Sequence, residues 1–193
     1  MKHILFIIGL FSLCCDAQTP IIPIHEGDNS IIGAYYKDTE NIFPKFVGTW
    51  NYTNGNESFT IELKKLSSYY DALAGNYSDI LIGEYSYIGT DGFEKINTLS
   101  NFITATSPYN NNIIGTIIKD YNSIPSLKRL QFTFIDPQRR YIKQFIVLKY
   151  IPSQGSSPEK IELTWIGDSS AVIDENSPTD IRVPKVNYTL IKQ

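Results

Sequence analysis

The chain has 193 residues, of which 42% are hydrophobic and 13% aromatic, and it carries a formal net charge of -3. This length and composition are typical of one folded domain with a sizeable core, so intrinsic disorder is not expected. The 17 basic and 20 acidic residues are spread along the chain without blocks. No basic face is visible, and the sequence gives no support for nucleic acid as a partner.

The N-terminus has the features of a cleavable export signal. A charged start at Lys2 precedes an apolar run from Ile4 to Leu13, with small residues ahead of a cut after Ala17. The run is shorter than the about 20 apolar residues that span a bilayer, and no later stretch is longer. We therefore predict a signal peptide at 1–17 and export to the periplasm or the outside of a bacterial cell. The alternative is a lipid anchor on Cys14 or Cys15.

Loss of this segment leaves few residues for catalysis. Both cysteines lie within it, and the remaining chain keeps one histidine, His25. Thiol catalysis, a Ser-His-Asp triad and a multi-histidine metal site would each need residues that the exported chain lacks. We predict no catalytic residue, no metal and no cofactor. Paired carboxylates, with Glu84 and Glu94 as candidates, remain the one enzymatic alternative, because glycosidases can take them from almost any positions.

In chain order, residues 18–43 form a proline-containing leader that we expect to lie extended along a single antiparallel β domain at 44–193. The first strand is predicted at Phe46–Thr53 and the second at Glu57–Lys65, where apolar and polar residues alternate. Asn54-Gly55 between them readily takes the two positive φ values of a tight hairpin turn.

A second hairpin is predicted from Asp79–Ile88 and Phe93–Leu99, joined by a turn at 89–92, while Ser67–Ser78 reads as irregular. Further strands are predicted at Ile113–Lys119, Lys128–Ile135, Tyr141–Ile151, Lys160–Ile166 and Val186–Lys192. About nine strands with short turns and no convincing helix are typical of an antiparallel barrel, with a β-sandwich as the alternative.

Aromatic residues are the remaining functional signal, with 13 tyrosines and 10 phenylalanines. In a barrel they could line an apolar ligand cavity, and on an open sheet they could stack on sugar rings. They could also be core residues only. The candidate ligand-binding residues on inward strand faces are Trp50, Tyr85, Tyr87, Phe132 and Phe134.

Gly48-Thr49-Trp50, at the opening of the first strand, resembles the G-x-W motif of lipocalins. That resemblance implies a lipocalin-like barrel in which Trp50 closes one end and stacks on an arginine near the last strand. Arg182 is the residue expected to play that part, so Gly48, Trp50 and Arg182 are the candidate structural residues.

A wider pattern covers most of the chain after the signal peptide. Its parts are Tyr36–Asn41, Phe46–Trp50, Leu63–Lys65 and Asp79–Tyr85. With the export signal, they resemble a family of exported bacterial proteins of unknown function. The resemblance implies an exported β domain and supplies no activity, cofactor or catalytic residue.

Two functional hypotheses follow. In the first, the barrel holds a small apolar or amphipathic ligand. In the second, the barrel interior is filled, and the protein is an envelope or surface interaction protein with a glycan as its candidate partner. A filled barrel interior with exposed aromatic residues would favour the second. The sequence leaves the oligomeric state undetermined.

Overall fold

A computed structural model describes residues 19–26, 29–103, 107–117, 129–170 and 176–193. The predicted signal peptide at 1–17, including both cysteines, lies outside these ranges. In the described ranges no helix has the length and apolar character needed to cross a bilayer.

The described chain is almost entirely β-structure with short 3-10 turns. The strands are β1 (Ile21–Pro23), β2 (Tyr35–Lys37), β3 (Gly48–Asn54), β4 (Glu57–Asp71), β5 (Asn76–Ile88), β6 (Glu94–Asn97), β7 (Ile113–Ile117), β8 (Arg129–Ile135), β9 (Ile142–Ile151), β10 (Lys160–Ser170) and β11 (Tyr188–Lys192). The 3-10 turns in this part of the chain are Phe43–Lys45, Leu99–Ile103 and Pro108–Asn110.

Eight of these strands close into a barrel in the order β3-β4-β5-β7-β8-β9-β10-β11, each antiparallel to its neighbours. β5 pairs with β7 through Leu81 and Gly115, and β11 returns to β3 through Lys192 and Trp50, which completes the circle. The predicted all-β antiparallel barrel is confirmed, and closure of the sheet removes the β-sandwich alternative.

The nine predicted strands correspond to β3 through β11, and the two further strands come from the leader. β1 pairs in parallel with β2, and β2 pairs in parallel with the start of β5. The alternation of apolar and polar residues predicted the barrel strands correctly, because successive side chains of a strand point to opposite faces of the sheet. Residues that are directly paired across strands point to the same face. Trp50 pairs with Ile61, and Ile61 pairs with Tyr85, so all three point inward.

The first hairpin turn differs from the prediction by one residue. Asn54 pairs with Glu57, so the two turn residues are Gly55 and Asn56. Gly55 has φ +60° and Asn56 has negative φ, which fits a turn with glycine first rather than one with two positive φ values.

The prediction of an irregular segment at 67–78 is wrong for most of its length. β4 continues to Asp71 and β5 begins at Asn76, with a register shift between Leu66 and Tyr69. This part of the hairpin extends past the strand pairs that β3 and β7 make with β4 and β5. Both of its faces reach solvent, so it lacks the apolar alternation that identifies a half-buried strand.

Asp79 fastens the leader to β5. Its buried carboxylate accepts hydrogen bonds from Tyr35 Oη (2.5 Å), the backbone N–H of Asp38 (3.1 Å) and the backbone N–H of Ser68 (3.1 Å). Lys65 Nζ lies 2.8 Å from the same carboxylate. Burial opposes ionisation of Asp79, but these donors outweigh it and hold the pKa of the carboxyl below its ordinary value.

Candidate site: the barrel interior and the rim pocket

The aromatic residues predicted to bind a ligand lie inside the barrel, where they contact other side chains. Trp50, Tyr85, Tyr87, Phe132 and Phe134 are all buried, with at most 4% of any side chain exposed. The ring centroid of Phe134 lies 4.3 Å from that of Tyr85 and 5.3 Å from that of Trp165. These separations are those of packed aromatic pairs. In this structure the five residues form part of the core.

Two inward glycines show how closely the interior is filled. A Cβ atom on Gly115 would lie 2.0 Å from the ring of Phe132, and one on Gly83 would lie 2.6 Å from the side chain of Leu63. Neighbouring rings and methyl groups therefore occupy the space that side chains at these positions would need.

The Trp50 end of the barrel is closed by the segment that precedes β3. Phe43 and Phe46 are fully buried, and Trp50 Nε1 donates a 2.7 Å hydrogen bond to the carbonyl of Phe46. The ammonium group of Lys192, in the last strand, lies 5.4 Å from the Trp50 ring centroid, within reach of a cation–π contact.

The expected stacking of Arg182 on Trp50 is therefore wrong. Arg182 binds the buried carboxylate of Asp136, with Nε 2.9 Å from Oδ2 and Nη2 2.5 Å from Oδ1. Asp136 follows β8 at the opposite rim of the barrel. Lys192 of the last strand occupies the place beside Trp50 that was expected for an arginine. Arg182 instead forms a bidentate pair with a carboxylate, a geometry that suits the planar guanidinium group.

That pair closes the opposite end of the barrel. Ile181 and Val183, on either side of Arg182, are 7% and 1% exposed and belong to the core. Burial opposes ionisation of Asp136, but the Arg182 guanidinium outweighs it and holds the pKa of that carboxyl below its ordinary value. The loop before β11 is thus held over the barrel mouth by an ion pair as well as by apolar contacts.

A pocket of about 290 Å³ lies on this rim, outside the filled interior, and we call it the rim pocket. Its lining residues are Tyr87, Gly89, Thr90, Asp91, Lys95, Arg182 and Pro184. The volume is at the low end of the range for small-molecule sites, about 300–1,000 Å³.

The charges of the rim pocket are balanced in pairs. Lys95 Nζ lies 2.6 Å from Asp91 Oδ2, and the Arg182 charge is matched by Asp136. Arg182 Nη1 also donates to the carbonyl of Lys95 at 3.1 Å, which ties the two cationic residues together. The pocket therefore offers donors and acceptors at fixed positions with little net charge.

An exposed aromatic ring stands beside this polar pocket. Phe93 is 70% exposed, its backbone N–H donates to Asp91 Oδ1 at 3.1 Å, and its ring centroid lies 5.9 Å from Lys95 Nζ. Sequence reasoning identified 89–92 only as a turn and placed Phe93 in a strand, so it missed this site. The sequence did contain a signal for it: the turn holds the polar pair Thr90-Asp91, and the aromatic residue Phe93 follows the turn directly.

The two carboxylates considered for catalysis have different surroundings. Glu84 is fully buried on the outer face of β5, where Asn112 Nδ2 donates to it at 2.6 Å. Glu94 is exposed at the start of β6 and accepts from Asn97 Nδ2 at 3.0 Å. Neither residue lines the rim pocket.

Comparison with known proteins gives a family and no individual relative. The model of a family of unknown function, DUF6705, matches residues 1–193. The chain belongs to DUF6705. No curated protein and no solved structure matches it. For this DUF6705 member, functional inference therefore rests on the barrel and its rim pocket.

Proposed function

We propose that this chain is an exported, non-enzymatic β-barrel protein that binds a neutral carbohydrate at the rim pocket. The observation that carries the proposal is the exposed Phe93 ring beside a pocket of paired charges. Sugar hydroxyl groups donate and accept hydrogen bonds at once, as the Asp91–Lys95 pair requires, and the apolar face of a sugar ring packs on an aromatic ring. Balanced charge favours a neutral ligand over an anion.

The competing proposal, an apolar ligand inside the barrel, has less support. Its five expected lining residues pack against one another, and both barrel ends are closed by buried side chains. Such a ligand would have to displace core contacts, whereas a sugar at the rim pocket needs no rearrangement of the core.

Export and the absence of catalysis are parts of the same proposal. The N-terminal pattern around Ile4–Leu13 supports a cut after Ala17, and the chain that follows has one histidine and no cysteine. Mass spectrometry of the protein from its native host should give a mature N-terminus at Gln18. A lipid mass on Cys14 or Cys15 would replace the soluble form by an anchored one.

The binding test uses isothermal titration calorimetry of the purified protein with a panel of neutral mono- and oligosaccharides. Phe93→Ala should weaken the best ligand by about tenfold, the effect of one aromatic contact of about 1.4 kcal/mol. Lys95→Met, which keeps the length of the side chain and removes its donor inside the pocket, should weaken it as well.

Tyr70→Ala is the matched control, because Tyr70 is a half-exposed aromatic residue near the distant end of β4. It should leave the affinity unchanged. If no saccharide binds, or if Tyr70→Ala and Phe93→Ala weaken binding equally, the rim pocket is not the site. A lipid that stays with the protein through purification would instead support the apolar-ligand proposal.

A further inference from the structure

One segment covers the outer face of β5. It comprises residues 94–103 and 107–112, and we call it the cover. The backbone N–H of Thr98 donates to the carbonyl of Tyr85 at 2.8 Å, and the N–H of Tyr85 donates to Thr98 Oγ1 at 3.0 Å. Glu84 points outward, since it alternates with inward residues, yet it is 0% exposed. The cover therefore seals a carboxyl group against the barrel wall.

Glu84 and Asn112 form a pair with an incomplete set of hydrogen bonds. Asn112 Nδ2 donates to Glu84 Oε2 at 2.6 Å. The second oxygen of each group, Glu84 Oε1 and Asn112 Oδ1, is buried without a hydrogen-bond partner. The Thr98 hydroxyl donates to the carbonyl of Tyr85 at 2.9 Å, so its proton is already used. Two buried acceptors in one pair are unfavourable unless a proton joins them.

Within the part of the chain that the structure describes, the charged groups of the neighbouring elements do not supply that proton. Glu62 of β4 pairs directly with Glu84 across the sheet, and Lys64 Nζ is bonded to Glu62 at 3.1 Å and lies 3.9 Å from the Phe102 ring centroid. The titratable groups of the cover are engaged elsewhere: Glu94 with Asn97, Lys95 with Asp91, and Tyr109 with Asp71.

We propose that Glu84 is protonated in the folded protein and that its Oε1–H donates to Asn112 Oδ1, so that one proton latches the cover to the barrel. A carboxylic acid and a primary amide then exchange one O–H and one N–H hydrogen bond, and both unpartnered oxygens are satisfied. Burial raises the pKa of the Glu84 carboxyl, and the hydrogen bonding of Asn112 to it offsets only part of that rise.

The latch loosens as the pH rises. When Glu84 gives its proton to water, its O–H hydrogen bond is lost and both buried oxygens are left without a donor. The open form ionises near the ordinary glutamate value of about 4.3, whereas the closed form stays protonated to higher pH. Closure is therefore most favourable at low pH and weakens until the pH reaches the raised pKa of Glu84.

A bound cation is a weaker explanation for the unpartnered oxygens. Asn112 Nδ2 occupies one side of the carboxyl at 2.6 Å, and its N–H dipole would repel a cation placed there. A proton fits the same space and completes the pair.

Hydrogen exchange of the full chain, corrected for intrinsic rates, tests the latch. Protection of backbone amides in 97–102 and 107–112 should fall about tenfold for each pH unit between about pH 4.3 and the pKa of Glu84. Glu84→Gln keeps a donor toward Asn112 and cannot ionise, so protection there should be independent of pH. Glu162→Gln is the matched control, a half-exposed carboxylate bonded to Lys149 at 3.0 Å, and it should retain the wild-type pH dependence.

Carbon-13 NMR of the wild-type Glu84 carboxyl provides a measurement that needs no variant. The resonance should titrate with a midpoint above the ordinary glutamate value of about 4.3. A midpoint at or below that value would overturn the proposal, as would pH-independent protection of the cover in the wild type. Stabilisation of the wild-type cover by added calcium chloride, absent in Glu84→Gln, would show a cation site instead and would also overturn it.

Discussion

Asp79 and Glu84 are two buried carboxylates on the same strand, β5, and each holds a peripheral segment against the barrel. Asp79 faces two side-chain donors and two backbone N–H groups, and its pKa is lowered. Glu84 keeps one oxygen without a partner, and its pKa is raised. The contrast shows that burial does not decide the charge of a carboxyl group. The supply of donors decides it.

The two sites should therefore respond to pH in opposite directions. The stabilisation that ionised Asp79 gives to the leader is present above about pH 4 and is lost as the pH falls through its lowered pKa. The stabilisation that protonated Glu84 gives to the cover is complete at low pH and is lost as the pH rises.

The largest expected effect is that of Asp79→Asn. The change removes the carboxylate closest to the partly buried Lys65, which keeps only Asp38 at 3.8 Å. It also turns one acceptor oxygen of a fully buried group into an NH2 that faces other donors, so it should lower the free energy of unfolding by about 3–5 kcal/mol. Urea denaturation at neutral pH measures it. Glu162→Gln, at a half-exposed pair, should lower it by less than about 1 kcal/mol. Equal effects of the two variants would mean that Asp79 is not the anchor of the leader.

The next effect is that of Tyr35→Phe, which removes one of the donors to Asp79 and keeps the ring. Burial and the bond to Asp79 raise the pKa of Tyr35 to about 12, as expected for a hydroxyl that donates to a carboxylate. Loss of a hydrogen bond to a charged group should lower the free energy of unfolding by about 1.5–3 kcal/mol. The pH at which acid unfolds the protein should also rise, because Asp79 loses a group that favours its ionised form. An unchanged acid midpoint would contradict this interpretation.

Much of the barrel could be predicted from the sequence, because residues such as Phe59, Ile61 and Leu63 alternate with polar ones that face solvent. The Asp79 site could not, since its donors come from positions 35, 38, 65 and 68 and no periodic pattern links them. The partner of Arg182 was missed for the same reason: a polar pair is fixed by three-dimensional contact. The extension of β4 to Asp71 was missed because both faces of this part of the strand are exposed to solvent, so its sequence lacks the alternation of apolar and polar residues.

On the Glu84 side, Asn112→Ala should have a smaller effect than either change at the Asp79 site. It removes the 2.6 Å hydrogen bond to Glu84 Oε2 together with the acceptor proposed for the Glu84 proton, which should lower the free energy of unfolding by about 1–2 kcal/mol. The loss should be confined to the cover, so hydrogen exchange should accelerate at 97–102 and 107–112 while Tyr35 and its neighbours stay protected. Uniform acceleration across the barrel would show that the cover is not a separate unit.

The smallest effect is expected for Tyr109→Phe, which tests a second tether of the cover. Tyr109 Oη donates to Asp71 Oδ2 at 2.7 Å, and this bond, together with partial burial, raises the pKa of Tyr109 to about 12. The side chain is 52% exposed, so its loss should lower the free energy of unfolding by less than about 1 kcal/mol. The Glu84 titration followed by carbon-13 NMR should not change. If it did, the cover would be held as much by its exposed edge as by the buried pair, and the contrast between the two carboxylates would lose its meaning.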